Sequence, residues 1–335
     1  MANITFTYGA GLNDSIFGKV QAPIASFIEK RGEAFEQASL VSVLFSKYKS
    51  THFGEKFTSM TAMDGFLPVG EMGSHPVDGM QESFSKLIEN ETWKDSFSIS
   101  REAIEDSVMI DLKKKPQAFV TGFYRTQEQF AASLLGGAAT NKSKAKFHGK
   151  DFDITCADGK NLFAQDHPSI LKKGSQSNAF TDEFSKEALG ALETAMQNLK
   201  GDNGEILDIS PDTIVIPNDY ALKNQVFEAI GSDKDPDTSN NGFNYHYGRW
   251  NIIVHPYLSQ FITAETKPWI LFDSKANETY GGGIWLDRTP LEVTSSIDED
   301  TNANVWRGYA RFSAGFNDWR PYAIGGASFG STLIS

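Results

Sequence analysis

The chain has 335 residues, of which 40% are hydrophobic, so it can bury a substantial core and is expected to form two or three compact units. Its formal net charge of −12 argues against a protein that grips nucleic acid through lysines and arginines. The sequence has no apolar run of about 18 residues and its first eight residues lack a basic leader, so we expect neither a membrane span nor a secretory signal.

The first hundred residues predict an arm followed by a long β hairpin. Residues 34–45 are moderately apolar and are expected to be helical and then extended, after a start rich in Gly and Asn. Residues 57–99 carry large apolar groups on both predicted strands, and a period of two places Trp93, Phe97 and Ile99 on one face. A two-stranded ribbon is only marginally stable by itself. We therefore interpret it as an assembly arm that packs on a neighbouring chain; the alternative is an ordinary hairpin on one domain's own sheet.

A long amphipathic helix is predicted next. Pro116 suits the first turn of a helix, and Gly136 and Gly137 are expected to end it after Leu135. Its apolar stripe is formed by Phe119, Phe123, Phe130 and Leu134. About twenty residues at a rise of ~1.5 Å give a helix of roughly 30 Å, which could run along the length of a subunit.

After residue 150 the pattern changes to alternating short strands and helices, which predicts a second domain. A helix is expected over residues 184–200 with Gly201 as its stop, then a buried strand at 213–216, then a helix capped by Asn218 and closed by Gly231. Further strands are predicted at residues 250–254, 269–272, 284–286 and 291–295. Residues 305–316 alternate strictly between apolar and polar side chains, which predicts a half-buried strand that returns to the first domain.

Patterns for catalysis or metal binding are weak. The histidines show no paired ligand spacing, and Asp151, Asp153 and the Asp166-His167 pair are interpreted as loop residues and caps. Residues 233–237 open like a calcium loop, which then lacks its glycine and its closing glutamate. The single cysteine, Cys156, is expected to be an inert side chain in a reducing compartment. We therefore expect no catalytic, cofactor-binding or metal-binding residues, and no cofactor.

Four local motifs then suggest a family. They are Asn-Leu-Phe-Ala-Gln-Asp-His-Pro at 161–168, Pro-Asp-Thr-Ile-Val-Ile-Pro at 211–217, Trp-Asn-Ile-Ile-Val-His-Pro-Tyr-Leu at 250–258, and Arg-Gly-Tyr-Ala-Arg-Phe-Ser-Ala-Gly-Phe-Asn-Asp-Trp-Arg at 307–320. Together with the order of arm, hairpin, long helix, α/β segment and return strand, they resemble the major capsid protein of tailed phages with the Hong Kong 97 fold, in its Mu-type major head subunit branch. The likeness spans about residues 50–325.

The resemblance implies an α+β fold divided into an N-terminal arm (1–50), an extended hairpin called the E-loop (51–100), a peripheral domain with a spine helix (101–145), an α/β axial domain (146–298) and return strands of the peripheral domain with the C-terminus (299–335). It implies a non-enzymatic shell protein that forms hexamers and pentamers around double-stranded DNA, assembled in the host cytoplasm and located in the virion capsid. No sequence-specific DNA binding and no membrane are expected. Expected partners are further copies, a scaffolding protein, a portal protein and decoration proteins.

Several alternatives and details stay open at this point. One alternative is an encapsulin-like nanocompartment shell of the same fold, and another is a soluble hydrolase whose acids between Asp151 and His167 converge. Lys56 and Lys86 lie in the hairpin, but no asparagine partner can be identified, so the covalent cross-link of the phage that names the fold is not transferred. Arg307, Arg311 and Arg320 are expected to form ion pairs with acidic groups of a neighbour or of their own sheet.

Overall fold

The computed structural model describes residues 5–8, 28, 30–32, 34–35, 39–60, 68–69, 71, 74–75, 82–106, 114–171, 174–231, 243–261 and 266–334. Most of the predicted N-terminal arm, most of the predicted hairpin tip and the calcium-like residues 233–237 lie outside these ranges. Side chains are described for most of the residues within these ranges, including those of the long helix and of most strands.

The fold is mixed α+β. The strands are β1 Thr5–Tyr8, β2 Ser46–Lys49, β3 Gly54–Met60, β4 Glu82–Glu89, β5 Glu91–Ile99, β6 Lys144–Phe147, β7 Lys150–Asp153, β8 His167–Pro168, β9 Ser175–Gln176, β10 Thr213–Pro217, β11 Asn251–His255, β12 Trp269–Phe272, β13 Gly283–Ile297, β14 Asn304–Phe316 and β15 Tyr322–Gly325. The helices with described bounds are α1 Val41–Leu44, α2 Arg101–Asp106, α3 Lys114–Ala139, α4 Lys186–Gln197, α5 Tyr220–Ile230 and α6 Ser274–Tyr280, and a 3-10 helix covers Pro256–Phe261.

The larger sheet is built on two long antiparallel strands, β13 and β14. Its order is β1-β13-β14-β5, and β2 also pairs with β13. The two short strands run parallel to β13 on the same edge, β1 beside residues 292–295 and β2 beside residues 284–287. The predicted strands at 284–286 and 291–295 are thus parts of one longer strand, which contains register shifts between Asp287 and Glu292.

The alternation predicted for residues 305–316 is confirmed over most of β14. Trp306, Ala310 and Phe312 are buried, whereas Arg307 is exposed. Near the end of the strand both faces are buried, because Ser313 is only 3% exposed beside the buried Ala314. The hairpin prediction is wrong from Glu91 onward. The segment predicted there as the returning strand of the hairpin is β5, and β5 pairs with β14 rather than with the outgoing strand. Trp93 accordingly stacks on Phe312 within the sheet's own packing, with ring centroids 4.9 Å apart.

The long helix is longer than predicted because the two glycines do not end it. Helix α3 continues through Gly136 and Gly137 to Ala139. A Cβ atom on Gly136 would lie 2.0 Å from Cδ2 of Phe261, and one on Gly137 would lie 3.0 Å from Ile154. These glycines therefore allow close packing rather than termination. From Phe130 onward the helix is buried on all sides, whereas Phe123 in its first half is only half-buried.

The smaller sheet has the order β11-β10-β12-β15 and carries helices α4 and α5. All residues of β10 and β12 are buried, which confirms the predicted short buried strands. The cap of α5 differs from the prediction: Asp219, not Asn218, accepts the hydrogen bond from the N–H of Leu222. Helix α4 ends at Gln197, before the predicted stop at Gly201, with Asn198 as its C-cap.

The two sheets share one continuous core and meet at a buried tyrosine. The hydroxyl of Tyr322, in the smaller sheet, donates a hydrogen bond of 2.7 Å to the carbonyl oxygen of Leu44, at the end of α1 beside the larger sheet. Phe45 and Phe316 pack together next to this contact, with ring centroids 5.6 Å apart. This junction fixes the position of one sheet relative to the other.

Candidate functional site

Strands β3 and β4 form a two-stranded ribbon that stands apart from both sheets. They pair antiparallel from Gly54 opposite Glu89 to Met60 opposite Glu82, with a register shift after Thr58. Within the described ranges no third strand pairs with either of them. Because an isolated ribbon is marginally stable, its position depends on contacts at its base and on whatever packs along its sides.

A buried ammonium group anchors the base of the ribbon. Lys86 Nζ in β4 donates hydrogen bonds to Asp153 Oδ2 at 2.6 Å, to the carbonyl oxygen of Thr155 at 2.9 Å and to its hydroxyl at 3.0 Å. Burial raises the pKa of Asp153, but hydrogen bonds from Lys86 and Thr155 outweigh it and hold the pKa below the ordinary value. The pair is therefore ionic, and the amine of Lys86 is fully occupied within its own subunit.

Apolar packing reinforces this anchor. Ile88 is buried against Ile284 and Leu286 of β13, and Phe57 of β3 packs on the same cluster. Gly315 in β14 makes the contact possible, because a Cβ atom there would lie 3.1 Å from Cδ1 of Ile88. Lys150 and Glu91 add an ion pair of 2.5 Å nearby. The base of the ribbon is thus bound to the larger sheet on one side and to β7 on the other.

The outward side of the ribbon carries apolar side chains that the subunit does not cover. Leu87 is 56% exposed, and Phe53, just before β3, is 64% exposed. Lys56 is exposed as well. The ribbon therefore has one face that fixes it to its own subunit and another that is free to contact a second surface.

The acids considered as catalytic candidates do not converge. Asp153 is paired with Lys86, and Asp166 forms an ion pair with Lys160 instead. His167 is fully buried, with Nδ1 2.6 Å from Asp158 Oδ2 and Nε2 3.2 Å from Asn178 Oδ1. Oxygen atoms lie within hydrogen-bond distance of both ring nitrogens of this buried side chain, so neither nitrogen is open to a substrate. Its ring also stacks on Trp319, which makes this histidine part of the core.

The other polar candidates are also structural. Arg320 forms ion pairs with Asp318 at 2.7 Å and Asp202 at 3.5 Å; these acids lie outside the strands of its own subunit and the pairs are buried, so the expected partners on a neighbour or on the same sheet were wrong. Arg307 Nη1 donates a hydrogen bond to the hydroxyl oxygen of Ser296. Arg311 forms no ion pair with any residue that the structure describes. Burial raises the pKa of the Cys156 thiol well above its ordinary value, so the thiol stays protonated and unreactive.

Over the same ranges, no group of three His, Cys, Asp or Glu side chains is placed to hold a metal ion. No helix in the described part of the chain is both long and apolar enough to cross a membrane. The role of Lys86 is the functional detail that sequence reasoning missed. A signal was present, because Phe84, Lys86 and Ile88 share one face of an alternating strand, and a lysine on the apolar face indicates a buried partner.

Comparison with known proteins agrees with a structural role. Residues 84–324 match the profile of a family described as phage capsid protein. No curated protein sequence matches the chain. Among solved structures, the chain is similar to the asymmetric unit of the mature capsid of bacteriophage PhiM1, with a TM-score of 0.51 at 8% identity over 89% of this chain and 88% of that chain.

Two further structures are similar at lower scores. One is from Mycobacterium phage Patience (TM-score 0.49, 12% identity, 100% of this chain and 94% of that chain). The other is the procapsid of bacteriophage JBD30 (TM-score 0.48, 13% identity, 93% of this chain and 76% of that chain). The PhiM1 similarity shows a shared fold, and at its low identity it shows nothing more.

The family match spans far more than half of the sequence and includes α3, the strands β5, β13 and β14 of the larger sheet and nearly all of the smaller sheet. Capsid membership accounts for a ribbon with an uncovered apolar face and for acids that are used in packing rather than in catalysis. The chain belongs to the phage capsid protein family and is a non-enzymatic structural protein of the phage capsid.

Proposed function

We propose that the subunit has the Hong Kong 97 capsid fold, in its Mu-type major head subunit branch, and assembles as hexamers and pentamers around double-stranded phage DNA. The proposal is supported by the order of elements, in which an extended ribbon precedes a long helix, an α/β segment and long return strands. The four sequence motifs support the branch, since those at 211–217 and 307–320 coincide with buried strands of the two sheets.

The division of the chain follows from this proposal. Residues 1–50 would be the N-terminal arm, 51–100 the E-loop region, 101–145 the spine-helix part of the peripheral domain, 146–298 mostly the axial domain and 299–335 the return strands and C-terminus. Within the second segment, the ribbon β3–β4 is the part that can act as an extended arm. Strand β5 is paired into the larger sheet, so it serves as the base from which the arm leaves.

One observation carries the proposal most directly: the ribbon is anchored on one side by Lys86 and Ile88, while Leu87 between them faces outward. An arm of this kind spreads apolar burial over a neighbour, and each contact can be weak while a closed shell is strong. The formal net charge of −12 is consistent with a container that does not adhere to its DNA.

Further partners are part of the same proposal. A scaffolding protein would guide assembly in the host cytoplasm, a portal protein would admit the DNA, and decoration proteins would bind the outer surface. The subunit would contact the enclosed DNA without sequence specificity, because no basic helix or patterned set of base-reading side chains is found in the described part of the chain.

The test is assembly of the purified chain, examined by negative-stain electron microscopy and sedimentation. Closed shells with hexameric and pentameric capsomers are expected, and discrete monomers under all assembly conditions would contradict the proposal. Shells purified from infected or co-expressing cells should contain DNA when portal and packaging proteins are present. An enclosed enzyme in place of DNA would indicate a nanocompartment instead.

A deletion separates the arm from the core. Removing residues 65–79 should leave a folded subunit that cannot close shells, because the strands that pack on β13 and β14 are retained. Circular dichroism and sedimentation measure the two properties separately. Loss of cooperative unfolding in the deletion variant would show that the segment belongs to the core and not to an assembly arm.

A further inference from the structure

One surface groove of the subunit is lined by three cations, although the chain as a whole is acidic. The groove has a volume of about 590 Å³ and lies between β2, the first half of α3 and the irregular part of β13. Its floor includes the rings of Phe123 and Trp285, and its cations are Lys47, Lys49 and Arg288. Lys47 and Lys49 share one side of β2, because side chains alternate along a strand.

The described residues offer these three cations no ion-pair partner. None of them forms an ion pair with any residue that the structure describes, and Lys47 and Lys49 are exposed. The one acid that lines the groove, Asp287, accepts a hydrogen bond from the indole N–H of Trp285 at 2.9 Å. Among the described residues, the groove is thus lined by three cations and one acid, although the chain has a net charge of −12.

A complementary acidic feature lies on the same strand. The turn between β13 and β14 contains Asp298, Glu299 and Asp300, and the last two are exposed. The turn is ordered, since the backbone N–H of Asp298 donates to the carbonyl oxygen of Ala303 at 3.0 Å and its carboxylate accepts from the N–H of Asp300 at 3.1 Å. No described cation pairs with any of the three acids.

The turn cannot reach the groove of its own subunit. At ~3.3 Å per residue, Asp298 lies roughly 30 Å along β13 from Arg288. Both features are held by the same strand, so no hinge brings them together. Since no described residue forms an ion pair with either set, the groove cations and the turn acids can pair with each other only between two copies.

We propose that the acidic turn at residues 298–300 of one subunit docks into the groove of Lys47, Lys49 and Arg288 on a second copy of this chain. The inference rests on the proposed assembly into capsomers and names a contact within it. In a head-to-tail arrangement, which the two different surfaces allow, this contact repeats around a ring when the rotation between copies closes. Complementary charge would also set the register of docking and select against misaligned copies.

The experiment compares charge-reversed subunits. The groove variant is Lys47→Glu with Lys49→Glu, the turn variant is Glu299→Lys with Asp300→Lys, and a combined variant carries all four changes. A matched control reverses two exposed lysines elsewhere, Lys142→Glu with Lys275→Glu. Thermal unfolding of each unassembled subunit checks folding, and sedimentation measures the fraction assembled into shells.

Either single set should lower the assembled fraction roughly tenfold at low salt, because like charges then face each other across the contact. The combined variant should recover to within about twofold of the parent, since the attraction is restored with opposite sign. The control should assemble like the parent. If folded groove and turn variants assemble normally, or if the combined variant does not recover, the proposal is overturned.

A direct test uses cysteines on separate copies. Lys47→Cys subunits and Glu299→Cys subunits, carrying different tags, are mixed and treated with a short bis-maleimide; the native Cys156 is only 2% exposed and contributes little background. A cross-linked product that carries both tags is expected. Absence of that product in assembled shells overturns the proposal. If groove variants assemble but lose DNA or scaffolding protein, the groove belongs to that partner and the proposal is also overturned.

Failure of the proposed function would look different. If the parent chain forms no shells, the shell proposal falls, while the two-tag product in concentrated unassembled protein still decides the contact between copies.

Discussion

The ring of Phe119 lies directly against the backbone of Gly308. A Cβ atom on Gly308 would be 2.4 Å from Cζ of Phe119 and 3.3 Å from Cδ1 of Leu291. Phe119 is in the first half of α3 and Gly308 is in the middle of β14, so this contact sets how closely the long helix approaches the larger sheet. Trp306 and Phe97 stack beside it, with ring centroids 5.0 Å apart.

We expect Gly308→Ala to lower the free energy of unfolding by about 1–3 kcal/mol, because the added methyl group forces the buried Phe119 ring out of place. Denaturant unfolding of the unassembled subunit measures the change. Gly122→Ala is the matched control, since a Cβ atom there meets nothing within 4 Å and alanine is the better helix residue. Equal effects of the two substitutions would contradict this account of the helix–sheet contact.

We expect Tyr322→Phe to lower the free energy of unfolding by about 1–3 kcal/mol, because the carbonyl oxygen of Leu44 then loses a buried donor. Burial also raises the pKa of the Tyr322 hydroxyl well above its ordinary value, so it remains a donor over the neutral range. Tyr220→Phe serves as the comparison, because Tyr220 is 78% exposed. Calorimetry measures the unfolding temperatures of both variants. If both equal that of the parent, the Tyr322 hydrogen bond does not stabilise the contact between the two sheets.

Lys86→Met should loosen the arm while leaving the rest of the fold in place. The substitution removes three hydrogen bonds, and we expect a loss of about 1–3 kcal/mol in the free energy of unfolding. It should also raise the pKa of Asp153, which NMR titration can follow. Amide exchange in β4 should accelerate relative to Lys56→Met, which changes an exposed lysine on the partner strand. Unchanged exchange in β4 would show that Ile88 alone holds the ribbon.

Acid should destabilise the subunit through His255. This residue is fully buried, its Nε2 lies 3.7 Å from Glu128 Oε2, and burial lowers its pKa from 6.5 to about 4. The unfolded chain binds a proton on this histidine below about pH 6.5, whereas the folded chain does so only near pH 4. Stability is therefore complete above pH 6.5 and falls as the pH drops towards 4.

The full difference amounts to at most about 3.5 kcal/mol, because the pKa falls by about 2.5 units and each unit corresponds to about 1.4 kcal/mol. Denaturant unfolding at several pH values should show a steeper loss in the parent than in His255→Gln over this window. Identical slopes, or an NMR titration of His255 near its ordinary pKa, would show that the side chain is hydrated in solution.

Local patterns predicted individual elements well but could not predict their partners. Apolar runs located β10 and β12, and strict alternation located β14, since those signals depend only on burial. The same alternation in residues 91–99 does not reveal which strand lies alongside. The prediction that this segment pairs with the outgoing strand is therefore wrong, because β5 pairs with β14. The prediction that Gly136 and Gly137 end the helix is wrong for a similar reason: a glycine can end a helix or admit a neighbour, and only the position of Phe261 decides.

In the candidate site too, the local element could be predicted from the sequence, whereas its contact partners could not. The uncovered arm was predicted from the instability of a lone ribbon, a property of the segment itself. Its anchor required Asp153 and Thr155, which lie more than sixty residues from Lys86 and meet it only after β7 folds beside β4. The groove of Lys47, Lys49 and Arg288 likewise joins two strands that are far apart in sequence.

The edge of β13 is completed by two short segments from the start of the chain, β1 beside residues 292–295 and β2 beside residues 284–287. An uncovered strand edge is a template for pairing with other chains, and aggregation follows when such an edge is long and apolar. Ile284 and Val293 on this strand are fully or almost fully buried. The backbone of β1 therefore covers the edge of β13 at residues 292–295, and we expect that removing residues 5–8 would leave this part of the edge free to pair with another chain.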